Sequence, residues 1–98
     1  MPELHIAREH TLGLAAARQA AQRWVQEAEG EWGMQCRRVS GRSQDEIHFQ
    51  RNGVSGCLRV SGQKFELDVQ LGFLLGPLTG QIERQIRQSL DELLGGAN

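Results

Sequence analysis

The stretch Ile47-His48-Phe49-Gln50-Arg51-Asn52-Gly53-Val54-Ser55-Gly56-Cys57-Leu58-Arg59-Val60-Ser61-Gly62-Gln63-Lys64-Phe65-Glu66-Leu67-Asp68-Val69-Gln70-Leu71 decides the fold. Its apolar residues recur at every second position, the period of a strand with one buried face. Asn52-Gly53 suits the centre of a two-residue type I′ hairpin turn, which sets Arg51 opposite Val54, Phe49 opposite Gly56 and Ile47 opposite Leu58. Gly62-Gln63, read as a second two-residue turn of type II′, sets Val60 opposite Phe65, Leu58 opposite Leu67, Gly56 opposite Val69 and Val54 opposite Leu71. The two registers collect the apolar residues on the same face, and a slip of one residue in either would turn Leu and Val toward charged partners. Phe49 over Gly56 also has a use, because a ring can cover the backbone that glycine leaves bare.

The opposite face follows from the same registers. One row holds Glu46, Arg59 and Glu66, in which the central Arg is expected to serve both acids. The next row holds His48, Cys57 and Asp68. Upstream, Met34 to Val39 reads as another strand, whose inner face is either Met34 with Cys36 or Arg37 with Val39. Ser40 to Asp45 reads as a polar loop.

Helices flank this meander. Leu14, Ala17, Ala21, Val25, Ala28 and Trp32 recur at spacings of three and four, with Thr11 as the expected N-cap and Gly30 and Gly33 at the end. Trp24 and Trp32, eight positions apart, nearly share a helix face and read as packing residues. Leu4 and Ile6 alternate with polar residues ahead of that helix and suit a short first strand. After Leu71, Pro77 belongs before or within the first turn of a last helix from about residue 79 to 94, whose stripe is Ile82, Ile86, Leu90, Leu93 and Leu94. Gly95-Gly96 ends it. The expected fold is α+β, a strand, a helix, a four-stranded antiparallel meander and a final helix, in a single domain over residues 1–98.

Composition narrows the function. The 98 residues carry 11 Lys and Arg against 12 Asp and Glu, a net charge of -1, with 39% hydrophobic residues. This near-neutral balance, with the Arg residues interspersed among acids, argues against nucleic-acid or anionic-membrane binding. The opening Met1-Pro2-Glu3-Leu4-His5-Ile6 lacks the pattern of a secretory signal, and no apolar run reaches the roughly 18 residues of a transmembrane segment. A cytoplasmic location is expected, with Cys36 and Cys57 as reduced thiols. In sequence order their strands lie about 9–10 Å apart, beyond disulfide reach.

Catalysis is not expected. In the row His48, Cys57, Asp68 the cysteine occupies the middle, whereas a nucleophilic triad needs an acid orienting a histidine that activates the thiol. An adjacent carboxylate disfavours the thiolate. His48 and Cys57 supply two metal-ligand types where a built site needs three or four, so neither metal nor cofactor is expected. The glycines of the hairpins do not open helices, so there is no phosphate loop. Arg37, Arg38 and Arg42 form a basic cluster with two readings, a contact for an anion or a solvated strand and loop, of which the second is expected. The contiguous aliphatic segment Phe73, Leu74, Leu75 and Leu78 has two readings: it closes the sheet beneath the last helix, or it is a surface patch for a partner.

Three segments in combination resemble a known family. Ile6-Ala7-Arg8-Glu9-His10-Thr11-Leu12-Gly13-Leu14-Ala15-Ala16-Ala17-Arg18, Ile47-His48-Phe49-Gln50-Arg51-Asn52-Gly53-Val54-Ser55-Gly56 and Leu71-Gly72-Phe73-Leu74-Leu75-Gly76-Pro77-Leu78-Thr79-Gly80-Gln81-Ile82-Glu83-Arg84 look like the small bacterial polyhydroxyalkanoic acid system proteins. The longer loop from Ser40 to Asp45 departs from that pattern. The resemblance implies a non-enzymatic accessory protein that meets polyhydroxyalkanoate granules or granule proteins, with Phe73, Leu74, Leu75 and Leu78 as the apolar contact. The element order resembles a reduced helix-grip, START-like architecture, with the sheet curved over the last helix. The alternative function is therefore a binding module for an acyl or other apolar ligand facing Phe49, Phe65, Leu67, Ile82 and Ile86. A chain this short is expected to fill that space with those same side chains. A homodimer through the apolar segment or an exposed sheet edge is the assembly this pattern admits.

Overall fold

A computed structural model describes residues 3–95. The elements follow in the order β1 (Glu3–Glu9), α1 (Gly13–Glu31), β2 (Gln35–Ser40), β3 (Gln44–Arg51), β4 (Val54–Ser61), β5 (Lys64–Leu71), a 3-10 turn η1 (Phe73–Leu78) and α2 (Thr79–Gly95). The strands form one antiparallel sheet in the order β1-β5-β4-β3-β2. The fold is thus α+β, as the alternation of periods indicates. The first strand joins the meander at the free edge of β5, where Leu4 pairs with Val69 and Ile6 with Leu67.

Every cross-strand pair expected from the two hairpins is present: Phe49 opposite Gly56, Ile47 opposite Leu58, Leu58 opposite Leu67, Val60 opposite Phe65 and the rest. The turn types differ from expectation. Gly53 takes φ +84°, but Asn52 does not take a positive φ, so the first turn is not type I′. Gly62 does not take a positive φ either, so the second is not type II′. There the Ser61 hydroxyl organises the turn, accepting from the N–H groups of Gln63 and Lys64. The two-residue length common to both readings preserves the register.

The inner face of the sheet and one stripe of each helix make a continuous core of Leu4, Ile6, Ala17, Ala21, Trp24, Ile47, Phe49, Leu58, Val60, Phe65, Leu67, Val69, Leu71, Ile86 and Leu90, among others. Helix α1 packs across β4 and β2, while α2 packs on β1 and α1. The sheet is therefore gripped by both helices and not by the last one alone. The alanines at 17, 20, 21 and 28 let α1 approach closely, and the buried Trp24 fills the gap that remains, edge-on to Phe49 at 5.2 Å and to Trp32 at 6.2 Å between ring centroids. Thr11 does not cap α1: the N-cap is Leu12, without a side-chain cap bond, and its N–H donates instead to His10 Nδ1. The α2 stripe is as expected, with Ile86 and Leu90 buried and Ile82, Leu93 and Leu94 partly so; Gly96 lies outside the described residues.

The segment from Ser40 to Asp45 needs correction. Asp45 is not in a loop but on β3, inward-facing and fully buried opposite Val60. Strand β2 turns Cys36 and Arg38 inward, opposite Phe49 and Ile47, and leaves Val39 exposed on the outer face. Arg38 then folds onto Asp45, with Nη2 at 2.7 Å and Nε at 3.2 Å from Oδ2, while Arg18 of α1 reaches Oδ1 at 3.2 Å. The Gly41 N–H donates to the same carboxylate. One buried acid thus ties α1, β2, β3 and their loop together, which a buried charge can do only when fully paired. Burial pushes the Asp45 carboxyl up, but the bonds from Arg38, Arg18 and Gly41 outweigh it and hold the group below the usual aspartate range. The three arginines 37, 38 and 42 do not converge: Arg37 faces outward opposite His48, and Arg38 is consumed by Asp45.

Candidate functional site

The apolar segment after β5 is placed by the first hairpin. The Gly72 N–H donates to the Gly53 carbonyl at 2.7 Å, seating the start of η1 on the turn between β3 and β4. The Leu75 N–H closes onto the Gly72 carbonyl, and the Thr79 hydroxyl onto the Gly76 carbonyl, so the segment passes through Pro77 directly into α2. Proline is tolerated there because this turn precedes the regular helix.

This turn divides its leucines. Leu75 packs inward against the core, whereas Leu74 is 87% exposed and Leu78 46% exposed. They are two of the three large hydrophobic side chains exposed among the described residues, the third being Val39. The Phe73 side chain lies outside the described residues. One leucine of the segment thus packs at the end of the sheet and two face outward.

Beneath Leu75 lies an apolar cavity of about 350 Å³ between the sheet, the end of α1 and the start of α2. Phe49, Leu67, Ile82 and Ile86 all line it, together with Trp24 and Met34. Phe65 does not: it sits toward the other end of the sheet with its ring edge-on to His10 at 5.3 Å. Four of the side chains expected to fill the space between sheet and last helix thus also line an open-sided pocket of that volume. Trp24 keeps its indole Nε1 buried without an acceptor. Arg51 stands at the cavity edge and donates to the Trp32 carbonyl at 2.6 Å, tying the hairpin to the end of α1. A wider, polar depression of about 990 Å³ adjoins it between that helix end and the Asn52-Gly53 turn.

The outer face of the sheet is covered by no element among the described residues. Its central row runs Arg37, His48, Cys57, Asp68, His5 across the five strands. Cys57 has His48 on one side and Asp68 on the other, and Asp68 is engaged by His5 at 2.5 Å and Arg59 at 2.9 Å. Burial, Glu46 and Asp68 push the Cys57 thiol up despite the opposing Arg59, so this is no activated nucleophile. The charge ladder also departs from expectation, because Arg59 bonds Glu66 and Asp68 and not Glu46, its direct cross-strand neighbour. Glu46 instead joins His48 and Cys57, the donor atoms of the three lying within 4.8 Å of one another. The spacing of Glu46 and His48 two apart on β3 carried that signal, but the expected pairing with Arg59 masked it. Cys36 and Cys57 are free thiols on opposite faces of the sheet, separated by β3.

An open five-stranded antiparallel sheet with both helices packed on one face defines a small α+β protein. Residues 4–94 match the family described as "Putative polyhydroxyalkanoic acid system protein", and the chain belongs to that family. Comparison with curated proteins and with solved structures returns no match. No helix among the described residues is long and apolar enough to cross a membrane.

Proposed function

We propose that the chain acts as one domain and as a non-catalytic accessory protein of bacterial polyhydroxyalkanoate storage, working in the cytoplasm at the granule. Leu74 and Leu78 meet the polyester surface or a granule-bound protein, with Leu75 anchoring the turn that presents them. The observation that carries this reading is the exposure of Leu74 on a turn hydrogen-bonded to the sheet, since an aliphatic side chain held outward by fixed backbone is presented and not merely loose. Burying both leucines is worth about 3 kcal/mol, roughly a hundredfold in affinity. Granules isolated from polyester-accumulating cells should carry the wild-type chain and lack a Leu74→Ser, Leu78→Ser variant expressed to the same level. Equal amounts of both on the granules would remove this turn from the account.

A second reading has its own observation, the cavity under Leu75. An apolar wall of this size suits an acyl chain, such as that of a hydroxyacyl ester unit. The two readings share a location, so a polyester segment at the granule surface could satisfy both.

A further inference from the structure

We propose that Glu46, His48 and Cys57 form a divalent-cation site of zinc type on the outer face of the sheet, on the side away from the apolar turn's cavity. The donors come from adjacent hydrogen-bonded strands: Glu46 and His48 alternate on β3, and Cys57 stands directly opposite His48 on β4. Strand pleating turns all three to the same face, and the ladder fixes their spacing. Their donor atoms already lie within 4.8 Å of one another. A tetrahedral zinc ion with sulfur, nitrogen and oxygen ligands needs separations of about 3.3–3.6 Å, a closure that small side-chain rotations supply. The fourth position is left to water.

The surroundings favour occupation by a cation. Arg59, which the register sets against Glu46, is drawn across to Glu66 and Asp68 and so does not hold the Glu46 carboxylate, while Arg37 stands opposite His48 on the same face. Neither Glu46 nor His48 makes a side-chain hydrogen bond or ion pair among the described residues, so ligation takes neither from an existing partner; the Cys57 sulfur also meets the Ile47 backbone. All three side chains are half-buried, which lessens the cost of ordering them and keeps the site within reach of solvent ions. The carboxylates that disfavour an isolated thiolate at Cys57 favour the same thiolate once a dication neutralises it. On binding, the thiol releases its proton to solvent and sulfur bonds the metal, with no change of oxidation state.

The test uses the full chain, reduced and stripped of metal, titrated with Co²⁺ and then Zn²⁺. The expected result is one Co²⁺ per chain with a thiolate-to-cobalt charge-transfer band, displaced by Zn²⁺. Cys57→Ser should abolish the band, and Glu46→Gln and His48→Gln should each weaken binding at least about tenfold. Cys36→Ser should change nothing, because that thiol faces the core side of β2. Circular dichroism of each variant separates loss of ligation from loss of fold. A band that persists in Cys57→Ser, that follows Cys36, or that ignores both Glu46→Gln and His48→Gln would overturn the site, as would no band in the folded wild type.

Discussion

Phe49 covers Gly56 so closely that a Cβ at residue 56 would stand 2.5 Å from the Phe49 ring. The same Cβ would also strike the Asp68 carbonyl oxygen of the neighbouring strand. The glycine is therefore required by close approach and not by an unusual backbone angle. Phe49 in turn contacts Trp24 and walls the cavity, so displacing it disturbs sheet, helix and site together. Gly56→Ala should destabilise the protein by about 2–3 kcal/mol, read from urea unfolding. A change under about 0.5 kcal/mol would show that the ring moves aside freely.

Asp45 makes stability depend on acid. Its folded-state pKa lies below the unfolded value, so its contribution is fully present above about pH 4 and is lost as the pH falls through the folded value. Asp45→Asn should cost about 3 kcal/mol at neutral pH by leaving Arg18 and Arg38 without their charge partner. It should also flatten the decline in stability below pH 4. A variant whose acid profile matches wild type would show that other carboxylates govern it.

Why the meander was legible and the Asp45 cluster was not is a matter of local against distant information. Two-residue turns and period-two alternation are local, and together they fixed the pairing of β3, β4 and β5 even though neither turn takes the expected conformation. Asp45 is buried only because Arg18, 27 positions upstream on α1, and Arg38 on β2 fold over it. An acid beside Arg42 and Ser43 looks like loop until those partners are known. The inner face of β2 stayed ambiguous for the same reason, since its inward residue is a charged Arg38 that only Asp45 explains.

The two outward leucines should separate from the inward one in their effects. Leu74→Ser should leave stability within about 0.5 kcal/mol of wild type while weakening any apolar contact. Leu75→Ala should instead destabilise by about 2 kcal/mol, because Leu75 packs on the core and touches the Gly53 turn. Thermal unfolding of both variants distinguishes them; equal losses would mean that Leu74 is buried in solution.

Filling the cavity should discriminate the second functional reading. Ile82→Trp places a large side chain at a half-buried cavity wall and should abolish binding of a hydroxyacyl ester measured by quenching of tryptophan fluorescence in the wild type. Binding that survives the substitution would locate the ligand elsewhere.

The candidate site was legible in composition more than in geometry. The run from Gly72 to Leu78 is visibly apolar, but its division into an inward Leu75 and outward Leu74 and Leu78 goes with the Gly72 to Gly53 hydrogen bond, which joins residues 19 apart. Period two and the helical stripe give the inward faces of Phe49, Leu67, Ile82 and Ile86, whereas setting them against one another between sheet and last helix comes from the helix-grip resemblance. The packing of α2 on β1 and α1 joins elements distant in sequence, and no residue pattern reports it.

The most direct test of the central claim is cosedimentation of the purified chain with amorphous polyhydroxyalkanoate particles, with phospholipid-coated particles as the control. The account predicts selective binding to bare polyester that falls roughly a hundredfold in the Leu74→Ser, Leu78→Ser variant. Wild-type binding that is absent, or indifferent to the lipid coat and to both substitutions, would contradict it.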